Sequence, residues 1–504
     1  MPLTGLTPLP KYRTDLVTRR LCATAHLDEQ FARAVWSEYV EDGLQAKTLP
    51  QGINLVALVR HTGQALGRLR NRDRILVVAA LLLPAVVLLA LWQVVAGHQG
   101  TALAAALTAA AVLVGSWSMA FQSELRGRRA ALGLIGDAPV GDLAPPVDPE
   151  VESRLDSMKR ANFVAYHSAV ESVNPFVGSG WRLTEAVWPP VDVSRPAKDD
   201  QGRDLPIIPF DAADLHHYLA VELPKIVGLE TLKARNRLYV RGAHVSYLGK
   251  DVLPDATRPP AVVVPKQLVK TGAVTTGAGA ETYLCLRMLN PGGHVVFTMH
   301  LRAHLLMPRL SWEVAAYVIP PLSERFDAVE YLPTGPARLW WHTLRTVNRG
   351  FRHTLFGAPG RLHAESLRLR RLSRDLERVR KEIRKKRKDW DYGAVNGLRE
   401  AVADWERMGY SERRDTSHYF KRLEQGVLLA TGAFLREHNV DTSDFEDTEK
   451  RIVNAQTYHF NGAITGPAMF GNHLQQFNNQ HPTAPPGGGQ PPAAGPQQAS
   501  PGRP

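Results

Sequence analysis

Two stretches without a formal charge, Ile75–Val95 (ILVVAALLLPAVVLLALWQVV) and Thr101–Phe121 (TALAAALTAAAVLVGSWSMAF), constrain this chain more than any other feature. At about 1.5 Å of rise per residue, a helix of roughly 21 residues matches the roughly 30 Å hydrocarbon core of a bilayer. The first run holds fourteen Leu, Ile or Val residues. At about −0.3 to −0.6 kcal/mol each, these favour insertion by about 4 to 8 kcal/mol. The second holds six Leu, Val or Phe residues (Leu103, Leu107, Val112, Leu113, Val114 and Phe121), so the same scale gives it only about 2 to 4 kcal/mol. Its insertion depends on its neighbour. Ala102, Ala106 and Ala110 recur every fourth residue, a spacing that lets two backbones approach closely in lipid.

A two-helix transmembrane hairpin is therefore expected, closed by the GHQG turn. Arg68, Arg70, Arg72 and Arg74 precede the first span, Arg126, Arg128 and Arg129 follow the second, and the turn carries no Lys or Arg. The bias predicts a multi-pass protein of the cell (plasma) membrane with both termini cytoplasmic. A buried soluble hairpin, and a single span with the second segment lying on the surface, are the competing readings.

Charge narrows the partners. The 504 residues carry 61 Lys and Arg against 49 Asp and Glu, a formal net charge of +12. An excess of that size suits an anionic lipid leaflet or nucleic acid, and tethering to a membrane makes lipid the simpler partner. Two cysteines, Cys22 and Cys285, can build neither a zinc site nor a disulfide framework and fit a reducing cytoplasm. No cleavable signal peptide is expected, since the first apolar run begins after more than seventy residues.

In chain order, residues 1–74 read as a small cytoplasmic helical cap, in which Asp28 is a candidate N-cap and Phe31, Val35 and Val40 lie at helical spacing. After the hairpin (75–121) and a linker (122–149), residues 150–333 read as a cytoplasmic α+β domain with an antiparallel sheet. WRLTEAVW, RLYVRG and HVSYL alternate like strands, TYLCLRML and HVVFTMHLRAHL flank an Asn290-Pro-Gly-Gly293 turn, and one helix runs from Asp211 to Pro224.

Residues 334–360 predict an amphipathic interfacial helix. Trp340, Leu344, Val347, Phe351 and Leu355 form one stripe, Arg338, His342, Arg345, Arg349 and Arg352 the other, and no acid occurs from Tyr331 to Ala364. Such a helix lies well in a headgroup layer; docking its stripe on the α+β domain is the alternative. Residues 361–453 form a basic coiled-coil and helical region, with Leu369, Leu372, Leu376, Val379 and Ile383 as a short heptad seam through which 362–386 could self-associate. From Glu365 to Asp389 twelve Lys or Arg face five acids. A solvated face, anionic lipid and a polyanion such as nucleic acid compete for that block, and the missing aromatics disfavour base stacking. The membrane-interface or anionic-lipid candidates are Arg338, Trp340, Trp341, Arg345, Arg349, Arg352, Lys385, Lys386, Arg387 and Lys388. Residues 454–480 are rich in Asn and Gln, either an extended linker or a weakly amyloid-like motif, and 481–504 form a disordered Pro/Gly/Gln tail.

No residue constellation specifies a reaction. His300 and His304 lack the Glu of a zinc-protease helix, His216 and His217 point about 100° apart on a helix, and TGAVTTGAGAE lacks the Lys of a phosphate loop. No Gly-x-Ser-x-Gly elbow is present, and Asp199, Asp200 and Asp204 fall in a Pro/Gly-rich loop. No catalytic residue, metal ligand or cofactor is assigned.

The stretches LCATAHLDEQFARAV, LPQGINLVALVRH, NPFVGSGWRL, HVVFTMHLRAH, DYGAVNGLREAVAD and HNVDTSDFEDTEKRIVNAQ together resemble a family of uncharacterised actinobacterial membrane proteins. The resemblance implies a transmembrane segment behind a short helical cap and before a large cytoplasmic part, and carries no activity with it. The expected role is a non-catalytic scaffold or binding/signalling protein that presents its cytoplasmic domains at the inner leaflet, with an unknown protein as partner. An enzyme within 150–333 and a polyanion binder using 365–389 are the alternatives.

Overall fold

In the computed structural model the described residues are 15–445, apart from 42, 137, 172–174, 276–278, 291, 386–389 and 444. The expectations for 454–480 and 481–504, and for Lys386, Arg387 and Lys388, fall outside them.

The two uncharged runs lie in α3 (Leu55–Val95) and α4 (Gln99–Gly133), both long and apolar enough to cross a membrane. α3 opens on Asn54, whose side chain accepts the Ala57 N–H. Its 41 residues reach about 60 Å, twice a hydrocarbon core, so the arginine-rich approach and the first apolar run are one continuous helix. Leu76, Ala79, Ala80 and Leu83 of α3 pack in one cluster with Ala109 of α4. The close-approach stripe on α4 is Ala102, Ala105 and Ala109, while Ala106 and Ala110 are exposed. The expected stripe was thus out of phase, because alanine occupies both faces and spacing alone does not choose between them. The far faces stay bare, with Leu81 at 67% and Leu107 at 63% exposure.

The N-terminal cap wraps the opposite end of the pair. Asp28 caps α2 (Glu29–Trp36) by accepting the Gln30 and Phe31 N–H groups, directly after α1 (Leu16–Leu27). Leu21, Cys22, Phe31 and Val35 bury against Leu55 and Leu58 of α3 and Ala131 in the last turn of α4. Arg19 donates to the carbonyls of Leu134, Gly136 and Ala138 at 3.0, 2.6 and 2.9 Å. The carbonyl end of a helix is where orphan acceptors and negative dipole charge collect.

After α5 (Pro149–Ser157) the body is a mixed seven-stranded sheet. Its strands are β1 (Phe163–Tyr166), β2 (Trp181–Val187), β3 (Val191–Asp192), β4 (Lys233–Arg241), β5 (Ala280–Leu289), β6 (Val296–Leu306) and β7 (Arg309–Ile319), ordered β1-β4-β5-β6-β7-β2 with β3 on β7. The expected β5–β6 hairpin is present, and β4 through β7 and β2 pair antiparallel. The sheet is not wholly antiparallel, because β1 joins β4 in parallel. A parallel pair needs a long crossover, here through β2, β3 and α7 (Ala212–Glu222), and a four-residue strand with its first three residues buried carries no alternation to announce it. HVSYL is likewise no strand but part of a tight helical turn, Gly242–Leu248.

One sheet face, with Leu284, Leu286, Met299, Leu301 and Val314, packs under α7 and α11 (Tyr410–Glu437). α7 starts at a capping box between Asp211 and Asp214. α11 buries the stripe its spacing predicts: Phe420, Leu423, Val427, Ala430 and Phe434. A helix from beyond residue 400 therefore completes the layer over the sheet. α6 (Ser168–Glu171), α8 (Lys266–Val274) and α10 (Leu398–Ala401) are short connectors. Between the sheet and α11 the chain makes α9 (Pro336–Arg384), 49 residues long, which joins the interfacial and coiled-coil segments read separately above.

Candidate membrane-interface site

α9 begins with Pro336 in its first turn, where a missing N–H costs nothing. It docks on α3 and α4 rather than on the sheet body. Leu339 and Val347 pack with Ala120, Phe121 and Leu125 of α4, and Leu355 and Ala358 with Leu76, Ala79 and Leu83 of α3. Trp117 donates to Asn348 Oδ1 at 2.8 Å, and Arg128 reaches His342 and Thr346, the latter at 3.1 Å. Farther along, Arg361 meets Asp73 bidentately at 2.9 and 2.8 Å, Arg70 meets Glu365 at 2.6 Å, and Arg368 meets Glu41 at 2.7 Å. The helix thus passes from the α4 side to the α3 side across the boundary between the uncharged runs and the polar base.

The remaining face is the basic one. Arg338, Arg345, Arg349 and Arg352 are exposed, and no ion pair holds any of them among the described residues. Trp340 lies edge-on to Phe121 with centroids 5.4 Å apart, and Trp341 edge-on to Trp340 at 5.2 Å. Trp341 keeps 59% exposure and Phe356 56%. Uncompensated cations beside exposed indoles are the combination that suits a headgroup layer. Lys385 is exposed at the end of α9, far along the helix from this cluster. The heptad seam is not enclosed: Leu369 is exposed, and Leu372, Leu376, Val379 and Ile383 are half-buried.

Sequence reasoning did not find Asp73, which welds α9 to α3. A signal existed, since Asp73 is the one acid between Gly43 and Ser123 and sits among four arginines next to an apolar run.

A second polar cluster fills the sheet face away from α7 and α11. His300 Nδ1 lies 3.2 Å from Cys285 Sγ, its Nε2 3.1 Å from Ser179 Oγ, and Tyr239 stands 3.4 Å from both ring and thiol. The loop NPFVGSG brings Phe176 to stack on the imidazole at 4.2 Å. Gly180, at φ +90°, lies where a Cβ would fall 2.3 Å from the Val318 carbonyl oxygen, so only glycine lets this loop lie flat on the sheet. Burial, then the charge of Arg237, holds His300 well below the usual histidine range. Next to it, His304 pairs with Glu313 at 3.0 Å and Arg302 with Glu281 at 2.6 Å. Burial alone would raise the Glu313 carboxyl; hydrogen bonds to His304 and Tyr283 hold it below its ordinary value. His300 and His304 therefore have different partners, and His216 accepts the Ala303 N–H on the other face. Phe176, Ser179, Tyr239, Cys285 and His300 are all buried. A thiol and an imidazole in reach of each other resemble a nucleophile and base, but Phe176 closes this pair from solvent.

Taken together, the chain is a mixed-sheet α+β body bearing two helices of membrane length and a long helix docked against them. Residues 181–473 match the AbeC-like domain, and the chain belongs to that uncharacterised family. No curated protein and no solved structure matches it. The matched region takes in β2 through β7 and α9, but not α3 and α4, on which α9 docks.

Proposed function

We propose that this protein is a non-catalytic membrane scaffold, in which α3 and α4 cross the plasma membrane as a hairpin with both termini cytoplasmic. α9 acts as a collar at the inner leaflet, and its basic face contacts anionic phospholipid headgroups. The sheet body is then held at a fixed attitude below the bilayer, available to a protein partner. One observation carries this reading: four exposed arginines with no acid partner among the described residues lie beside exposed tryptophans on a helix clamped to the base of the two apolar helices. Each basic residue near an anionic leaflet contributes about 1 kcal/mol. The full-length protein, reconstituted with phosphatidylcholine alone or with added phosphatidylglycerol, tests it. Arg345→Glu with Arg349→Glu is expected to reduce enrichment of the anionic lipid around the protein without releasing it from the membrane. Equal enrichment around both proteins would refute the lipid contact, and an end-fused reporter active only outside the cell would refute the orientation.

A further inference from the structure

The base of the hairpin holds a cleft of about 380 Å³ between α3 and α4, a volume within the range of small-ligand sites. It straddles a chemical boundary. Ile75 and Met119, at the ends of the uncharged runs, line one side, and Arg68, Arg72 and Arg126 line the other. No carboxylate lines it among the described residues. Asp73 pairs with Arg72 and Arg361, and Glu124 is held by Arg128 at 3.0 Å. The cleft is therefore net positive.

Its polar groups are set but not satisfied. Ser123 is 4% exposed and lines the cleft, yet its Oγ has no hydrogen-bond partner among the described residues. The same holds for Nε of Arg68, although its Nη2 donates to the His26 carbonyl at 2.9 Å. Among the described residues Arg126 reaches only Gln122, at 3.4 Å. Buried polar groups are normally paired, and an orphan that faces a cleft marks a place for a missing partner. Gly127 makes room for the arrangement, since a Cβ there would fall 2.6 Å from the Arg68 guanidinium.

We propose that this cleft binds the phosphate of one anionic phospholipid headgroup, with its acyl chains leaving past Ile75 and Met119 along the apolar helices. The geometry favours a lipid over a soluble phosphate because the cationic wall and the apolar wall meet at the level where headgroup and chain meet. This inference rests on the reading that α3 and α4 lie in a bilayer.

The test uses full-length protein in detergent, titrated with phosphatidylglycerol, phosphatidylcholine or glycerol phosphate and read by native mass spectrometry. One tight phosphatidylglycerol adduct is expected, weakened by about fivefold in Arg126→Gln, as for loss of one cation beside an anionic lipid. Ser123→Ala, a nearly isosteric change, is expected to weaken it in the same direction. Binding unchanged in both variants would overturn the proposal, as would glycerol phosphate competing at equal concentration. Alkaline carbonate extraction of native membranes separates the two levels of failure. A protein retained in the pellet without the adduct refutes the cleft alone, whereas a protein released to the supernatant refutes the bilayer reading beneath it.

Discussion

Replacing Asp73 with Asn tests how α9 is fastened to the hairpin. The Asp73 side chain is 4% exposed and receives Arg361 through two hydrogen bonds and Arg72 through a third at 2.9 Å. Asparagine keeps the shape and removes the charge, leaving two guanidinium groups opposed without an anion. Breaking a buried pair by removing one partner costs about 3 to 5 kcal/mol. Arg361 is partly solvated and retains the Thr354 carbonyl at 2.8 Å, so the lower end, about 3 kcal/mol, applies. At about 1.4 kcal/mol per factor of ten, local opening of α9 around residue 361 becomes about a hundredfold more frequent. Hydrogen exchange read by mass spectrometry on peptides covering residues 355–372 of the reconstituted protein reports that opening directly. Exchange about a hundredfold faster there, with α11 peptides unchanged, is the expected result. Acceleration below threefold would refute the clamp, and equal acceleration in α11 would mean that the whole body had loosened instead. Adding Arg361→Gln to Asp73→Asn is expected to cost less than the sum of the two single changes, since each removes the same interaction.

Two further outcomes follow from packing and protonation. Ala105→Leu is expected to lower the melting temperature and destabilise the α3–α4 contact by about 1 to 3 kcal/mol through overpacking, while Ala106→Leu, on the exposed face, leaves it unchanged; the reverse order would restore the other stripe. Burial pushes His26 down to about 3 and His216 down to about 4, and holds His300 well below its ordinary 6.5. The unfolded chain therefore binds protons below pH 6.5 that the folded chain does not. Stability is complete above pH 6.5 and falls with pH until each folded value is reached, by about 1.4 kcal/mol per unit for each histidine. Denaturant unfolding at pH 7 and 5.5 is expected to differ by about 2.5 kcal/mol from His26 and His216 together, with His300 adding in the same direction, and His300→Gln to reduce the difference. A flat profile over that interval would refute the assignment.

What the sequence revealed was whatever depends on neighbours along the chain. The two uncharged runs, the Asp28 and Asp211 caps, the β5–β6 hairpin and the α11 stripe each follow from residues within one or two turns of each other, and each is where spacing puts it. What stayed hidden depends on distant pairings. β1 has no alternation because it is buried and short, and its partner β4 lies some seventy residues on. The phase of the alanine stripe is decided by Leu76–Leu83 of the other helix, not by the alanines. α9 carries a visible amphipathic stripe, but the stripe does not say whether lipid, sheet or helix covers it; the structure places α3 and α4 there. The Cys285–His300–Ser179 contact joins three segments that no local motif connects.

Where the acids lie decides which part of α9 has charge left over for the proposed lipid contact. The densest basic block begins at Arg368, but there the carboxylates of Asp375, Glu377 and Glu382 are interspersed, and Arg368 and Arg380 pair with Glu41 and Glu377. That half of the helix can offset part of its positive charge with acids of its own. The segment from Arg338 to Arg352 cannot. Arg345, Arg349 and Arg352 follow at intervals of four and three residues, and like charges at that spacing destabilise a helix by about 0.2 to 0.5 kcal/mol per pair. The carboxylates nearest the hairpin base are already committed, Asp73 to Arg72 and Arg361 and Glu124 to Arg128. No acid of the segment itself relieves the repulsion, and an anionic leaflet would turn it into attraction. The less basic half of α9 is therefore the half that supports a lipid-facing role, and charge reversal at Arg345 and Arg349 is expected to matter more for lipid selection than the same change at Arg370 and Arg374.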